Sequence, residues 1–557
     1  MRNDTHARFS GRIDTVTFEA LEPRQFLAGD VLAQIVGGSL VVTGDDAANA
    51  ITITQQGLAA GEVQVTPAPG TTVNGGADPV VLQTLRPDVR IDLGLGDDTI
   101  TVTQVNLGKL LLNIGNDNDA VALSSVNLTQ LCLAGGYGDF GLTLEDSVIS
   151  GNASIISQGG NAAITFQGDD SRVGGRFQVC GGTGDGTLSI TGGQFQKDVR
   201  IAAGYGAATI TLSGSTIAGK LDITTGTGAD DITLPGLTVS GNTKLTLGNG
   251  ITDVSIDTCT LGGKLDIRSL ADADVIDIAN STVVGNVKIN AGHGDLTMTA
   301  DTATFKGNTA ICGATGTHSV ALSTCTLWGG LAITSGGTLD AALISTQVAT
   351  QTQGKGGNMM VRTTAGPATV TATDSQVGAS FMLTHLKSDA SLTLTNTTIA
   401  GNLQAKASGG RDMLFLATLN QATISGKTQI NSLNKIGVIS IDDSTLGGKV
   451  DILTGTDVQI ECDTTADGVS RFAGAVNIRF GGMDDMLLIS GNASEDEFGQ
   501  YSITTDAAFQ AEFAAPVTFD GGKGVDVLMV QLGNGATFAV PPLQKNFEIH
   551  SGEGWLL

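Results

Sequence analysis

Aromatic residues are scarce in this 557-residue chain, at 4% with two Trp and three Tyr, and charged residues reach only 15%. The ten Pro follow no Gly-X-Y period, which excludes a collagen helix. No apolar run approaches the roughly 18 residues a membrane-spanning helix needs. The six cysteines (Cys132, Cys180, Cys259, Cys312, Cys325, Cys462) include no CxxC pair, which argues against zinc and thioredoxin-like sites and predicts small buried thiols. Cations are few: 29 Lys and Arg stand against 55 Asp and Glu, a net charge of −26. Such a surface repels nucleic acid and anionic lipid, leaving divalent cations and cationic or neutral polymers as partners. Residues 1–30 carry basic side chains but no apolar core of about 7–15 residues, so they are not an ordinary secretory signal.

What the chain has instead is glycine, 78 residues of it, with abundant Thr and Val. Hydrophobics at 41% and a mean hydropathy of +0.16 supply enough apolar surface for a core. A motif of apolar, any, Gly, any, apolar, any, apolar recurs as Ile-Ala-Gly-Lys-Leu-Asp-Ile at 217–223 and Leu-Gly-Gly-Lys-Leu-Asp-Ile at 261–267. Its landmark falls at Gly175, Lys197, Gly219, Gly241, Gly263, Gly285, Gly307 and Gly329, seven consecutive steps of 22 residues. Roughly seventeen copies are recognisable, and each alternates apolar and polar residues with the period of strands. The fold expected is all-β: a right-handed parallel β-helix of about 22 residues per coil, capped at both ends.

The expected organisation is a separate N-terminal segment over 1–30, irregular β coils over 31–105, the β-helix over 106–479 and a C-terminal β cap over 480–557. A Gly-x-Gly corner keeps the same register at Gly182/Gly184, Gly204/Gly206, Gly226/Gly228, Gly248/Gly250 and Gly292/Gly294, and is expected to supply positive φ. The positive-φ expectation extends to the landmark Gly263. A column four residues before the landmark (Ser215, Leu237, Cys259, Ser281, Ala303, Cys325) is mostly small, and Cys259 and Cys325 lie three coils apart, about 14 Å, so they should be free thiols inside the coil.

Chemistry is sparse. Gly521-Gly-Lys-Gly-Val-Asp526 is one GGxGxD-type unit of the calcium β-roll, with partial copies at Gly94–Asp98, Gly226–Asp230 and Gly481–Asp485. Calcium is therefore the one cofactor considered, with Asp98 and Asp119, about one coil apart, and Asp526 as candidate ligands. In register with Asp230 the column reads Gly186, Ala208, Asp230, Thr252, Asp274, Leu296, His318 and Asp340. The pairs Asp169-Asp170, Asp230-Asp231 and Asp442-Asp443 are expected to be solvated turn carboxylates. They gather no acid, base and cation set of the kind that polysaccharide lyases and hydrolases require. The histidines (His6, His293, His318, His385, His550) are expected at the surface. No catalytic residue is assigned.

Residues 18–30, Phe-Glu-Ala-Leu-Glu-Pro-Arg-Gln-Phe-Leu-Ala-Gly-Asp, resemble the LEPR-XLL segment near the start of large repeat-rich planctomycete proteins. Leu21-Glu22-Pro23-Arg24 match fully, and Phe26 departs from the family Leu. The resemblance implies export or surface location and no particular activity. The coils also resemble the β-solenoid stalks of bacterial adhesins. Together these imply a non-enzymatic cell-envelope protein with a structural or adhesive role. Its expected partners are surface polysaccharide or other envelope proteins. The alternatives are a polysaccharide-active β-helix enzyme, for which the insertion between Gly329 and Gly357 is the candidate loop, and a calcium-stabilised matrix protein.

Overall fold

The computed structural model describes residues 29–349, 357–408, 413–433, 435–461, 468–482, 484–490, 492–495, 501–504, 510–530, 536–547 and 549–550. Most of the LEPR-XLL-like segment, the insertion after Gly329 from residue 350, and Cys462 lie outside them. Gly29 and Asp30, grouped on sequence with the N-terminal segment, open the strand Gly29–Val36. Among the described residues every element is a strand, and no helix is long and apolar enough to cross a membrane.

The chain is a parallel β-solenoid of about 19 turns. One coil shows the plan. A long strand, Asp230–Pro235, leads through a corner to the two-residue strand Thr238–Val239. A second corner at Gly241 leads to the four-residue strand Thr243–Thr246, and a glycine turn returns to the next long strand, Thr252–Asp257. Each strand pairs in parallel with its equivalent 22 residues on, as Asp231 with Asp253, Thr238 with Thr260 and Thr243 with Leu265. Long strands stack as one wall, and the two- and four-residue strands form the other.

Side chains alternate inward and outward along every strand, so each coil sends a fixed set inside. Ile232, Leu234, Val239, Leu245 and Leu247 are all fully buried. A single coil has nothing to bury these against, and each is worth about 1.5–3 kcal/mol only once its neighbours are stacked. Aromatics stack with the coils too: Phe472, Phe513 and Phe538 lie ring over ring at 4.6 and 4.7 Å. Cys259 and Cys325 are buried free thiols, and burial pushes the Cys259 thiol up to about 11.

The glycine corners work differently from the expectation. Of the ten glycines named in the Gly-x-Gly series, only Gly204 and Gly292 have positive φ, and Gly263 does not. What these positions need is the absence of a side chain. A Cβ on Gly226 would collide with the Gly204 carbonyl, one on Gly248 with the Gly226 carbonyl, and one on Gly263 with the Gly241 carbonyl. Positive φ falls instead on the corner after the long strand. Gln104, Ser125, Asp146 and Gly168 hold it in the early coils, Gly192, Gly214 and Gly236 next, then Thr258 (54°), Asn280 (50°), Thr302 (53°) and Thr324 (51°). The small inward residue that follows satisfies this corner. The Cys259 amide donates to Ser281 Oγ at 2.9 Å, and that hydroxyl donates to the Ala279 carbonyl at 2.7 Å.

The ends vary this plan. Ser39–Thr43 and Ala50–Thr54 belong to the first coil, but each also takes an antiparallel neighbour, Gly29–Val36 and Glu62–Pro67 respectively. The second of these pairs in turn with Val80–Gln83. These hairpins cover an edge that would otherwise stay open. At the other end the stacking passes residue 480, from Val476–Phe480 to Val517–Asp520 to Leu543–Lys545.

Candidate functional site

The three candidate calcium ligands share one inward column, at the start of the long strands. Asp98 and Asp119 occupy neighbouring coils near its N-terminal end, and Asp526 lies near its C-terminal end, beside Asp485. All are buried, with Asp98 1% and Asp526 0% exposed. Backbone chemistry explains their presence. Along this column each amide normally donates to a carbonyl of the next coil, as Phe140 does to Asn161 at 2.7 Å. Where the next coil carries Asp98, Asp119, Asp230, Asp274 or Asp526, the carboxylate takes that bond instead. Asn49 donates to Asp98 Oδ1 (2.8 Å), Asp98 to Asp119 Oδ1 (2.9 Å), and Asp485 to Asp526 Oδ1 (3.1 Å). Ala208 and Thr252 do the same to Asp230 (2.8 Å) and Asp274 (2.9 Å).

One oxygen of each of these five acids is thus a backbone acceptor. The second oxygens of Asp98, Asp230 and Asp274 are buried without a hydrogen-bond partner, and so is Oδ2 of Asp485. Burial raises these carboxyls, Asp98 to about 6 and Asp119 and Asp485 to about 7. Asp230 and Asp274 rise for the same reason. Among the described residues no three His, Cys, Asp or Glu side chains are grouped to hold a metal ion.

Three expectations need correction here. Asp230 and Asp442 are buried rather than solvated, Asp230 because it falls on an inward position, whereas Asp169 and Asp170 are exposed. His318 and His385 are buried, not at the surface. His318 takes the aspartate column between Leu296 and Leu339, and His385 contacts Thr363 Oγ1 and the Ser388 backbone. Burial lowers the pKa of both rings, while His293 is exposed as expected. Lastly, Leu339 and not Asp340 follows His318, because that coil is one residue short, and Asp340 points outward.

Outside, an amide ladder flanks the column. Asp97, Asn118, Asp139, Asn161 and Asp185 each accept the backbone amide of the next coil through Oδ1, at 2.8–3.1 Å. These polar side chains hold the turns together.

The outer surfaces of the two walls differ in kind. Long strands carry no Lys or Arg among the described residues. Their middle outward column runs Thr143, Thr165, Ser189, Thr211, Thr233, Ser255, one hydroxyl per coil. On the four-residue strands, the matching column alternates in charge as Arg200, Asp222, Lys244, Asp266, Lys288. Two grooves of about 610 and 560 Å³ open on this second wall, around Arg176 and around Lys449. Sequence reasoning missed both columns, although stepping by 22 from Arg200 spells the alternation outright. Compared with family models, curated proteins and solved structures, the chain matches none.

Proposed function

We propose that this chain is a stiff, exported envelope rod that acts through its outer walls, as a structural or adhesive element, and not as an enzyme. The observation that carries this is the long wall: a regular hydroxyl array, free of cations among the described residues, running along the stack. Hydroxyls repeating at ~4.8 Å between coils and ~7 Å along a strand suit the hydroxyls of a neutral polysaccharide, and interspersed acids such as Asp277 and Asp253 repel anionic ones. Carboxyls with raised pKa usually mark an active site. Here Asp98 and Asp119, among the most raised, face the core and accept backbone amides, which supports the non-enzymatic reading. Protease shaving of intact cells tests it. Solenoid peptides in the shaved fraction are expected, and peptides released only after lysis would contradict it.

A calcium-stabilised rod is the second reading, favoured by Asn49 Oδ1 and Asp98 Oδ2, two buried oxygens without partners on adjacent coils. On this reading calcium raises the melting temperature and Asp98→Asn abolishes the rise. An unchanged melt with added calcium would remove it.

A further inference from the structure

Part of the charge on the four-residue wall is patterned. Arg200, Asp222, Lys244, Asp266 and Lys288 stack on successive coils, and each is exposed or half-buried. Among the described residues, only Asp266 of these five is in an ion pair, with Arg268 at 2.8 Å. The Arg268 hydrogen bond holds the Asp266 carboxyl below the usual range, Lys288 and Lys244 flank it and add to that attraction, and all five stand on the outward face.

We infer that this wall is a docking surface for a second copy of the chain, packed face to face with the two rods antiparallel. A two-fold axis along the strand direction, lying between the Asp222 and Lys244 coils, sets Asp222 against the partner's Lys244 and Arg200 against the partner's Asp266. The flanking column agrees independently. The same axis sets Asp198 against the partner's Lys264 and Lys220 against the partner's Asn242, while Thr224 meets the partner's Thr246. Further out, Arg176 faces the partner's Asn286, Gln178 the partner's Lys288, and Lys109 the partner's Asn358. No like charges meet over about a dozen coils.

The pattern also selects against its alternatives, as specific interfaces do. Moving the axis by half a coil puts Lys244 opposite itself and Asp222 opposite the partner's Asp266. A parallel two-fold arrangement puts Arg200 opposite Arg200. Moving the axis a full coil keeps complementarity but loses the Asp198–Lys264 and Arg200–Asp266 contacts. At ~4.8 Å per coil and ~13 Å across the strand, the matched stretch offers ~750 Å² per partner. That approaches the ~800 Å² per side of a standard specific interface. Exposed ion pairs contribute little singly, so the arrangement sets register and orientation while the covered area supplies affinity. The net charge of −26 opposes any association, which is why the concentration of cations on this one wall is informative. The long walls remain open on both sides of such a dimer.

Sedimentation velocity of the full chain tests this, with circular dichroism to confirm that each variant is folded. The wild type is expected to dimerise. Asp222→Lys and Lys244→Asp should each weaken the dimer by at least about tenfold. A one-to-one mixture of the two variants should restore it, because each introduced charge then meets its opposite across the axis. A wild type that stays monomeric overturns the inference, as do a dimer that survives both substitutions and a mixture that fails to recover.

Discussion

The two walls obey the same rule inside and opposite rules outside. Inward, the long strand Asp230–Pro235 and the four-residue strand Thr243–Thr246 both alternate buried residues with partly exposed ones, and Ile232, Leu234 and Leu245 are sealed equally. Outward, one wall repeats hydroxyls and acids, and the other alternates cations with acids. The inward pattern is set by stacking and leaves little freedom. The outward columns contribute little to folding, so their regularity is a statement about what the surfaces meet.

The strongest way to break the shared inner rule is at the glycine turns that join the walls. Gly248→Val drives a Cβ into the Gly226 carbonyl and should cost about 3–5 kcal/mol in denaturant melts of the full chain. Gly214→Asn, at positive φ (56°) with open space for a Cβ, should cost under about 1 kcal/mol. Equal costs would mean that backbone conformation, not close stacking, fixes these glycines.

Next in size is the buried acid column. Asp274→Leu leaves the Thr252 amide without its acceptor and should destabilise by about 1–3 kcal/mol. Asp222→Leu, outward on the other wall, should change stability by less than about 0.5 kcal/mol.

The pH dependence of the carboxyl column is smaller and its sign is fixed. Asp98, Asp119 and Asp485 titrate higher folded than the value of 3.8 expected unfolded. In that interval the folded chain holds more protons, so stability is fullest below pH 3.8 and falls as pH rises through about 6 to 7. In thermal melts the column carboxyls should therefore add stability on mild acidification, against the opposite contribution of His318 and His385, whose ring pKa burial lowers. Asp119→Asn should flatten that slope, and an unchanged slope would mean the column carboxyls do not govern it. The smallest stability effect belongs to the long wall, where Thr233→Lys should shift melts by less than about 0.5 kcal/mol.

Much of this architecture is written in the sequence, because a repeat lets one coil check another. Landmark spacing and alternation specify strands, stacking and the buried Cys259 and Cys325. Roughly seventeen copies are recognisable against about 19 turns, since coils around Val517–Asp520 keep inward apolar residues without the landmark glycine. The columns are less legible wherever a coil is not 22 residues long, as with Leu339 taking the place given to Asp340. Burial of His318, His385 and Asp230 was unreadable for another reason: residue type argues for the surface, while register alone sends these side chains inward. The acids in particular make sense only once the amide they accept from the preceding coil is seen.

The division of labour between the walls is tested most directly by co-sedimentation of the full chain with an insoluble neutral glucan. Wild type is compared with Thr211→Lys/Thr233→Lys on the long wall and with Asp222→Lys on the other. Wild type and Asp222→Lys are predicted to pellet with the polymer, while the long-wall variant stays in the supernatant. A wild type that remains in solution, or a long-wall variant that pellets equally, would contradict the account.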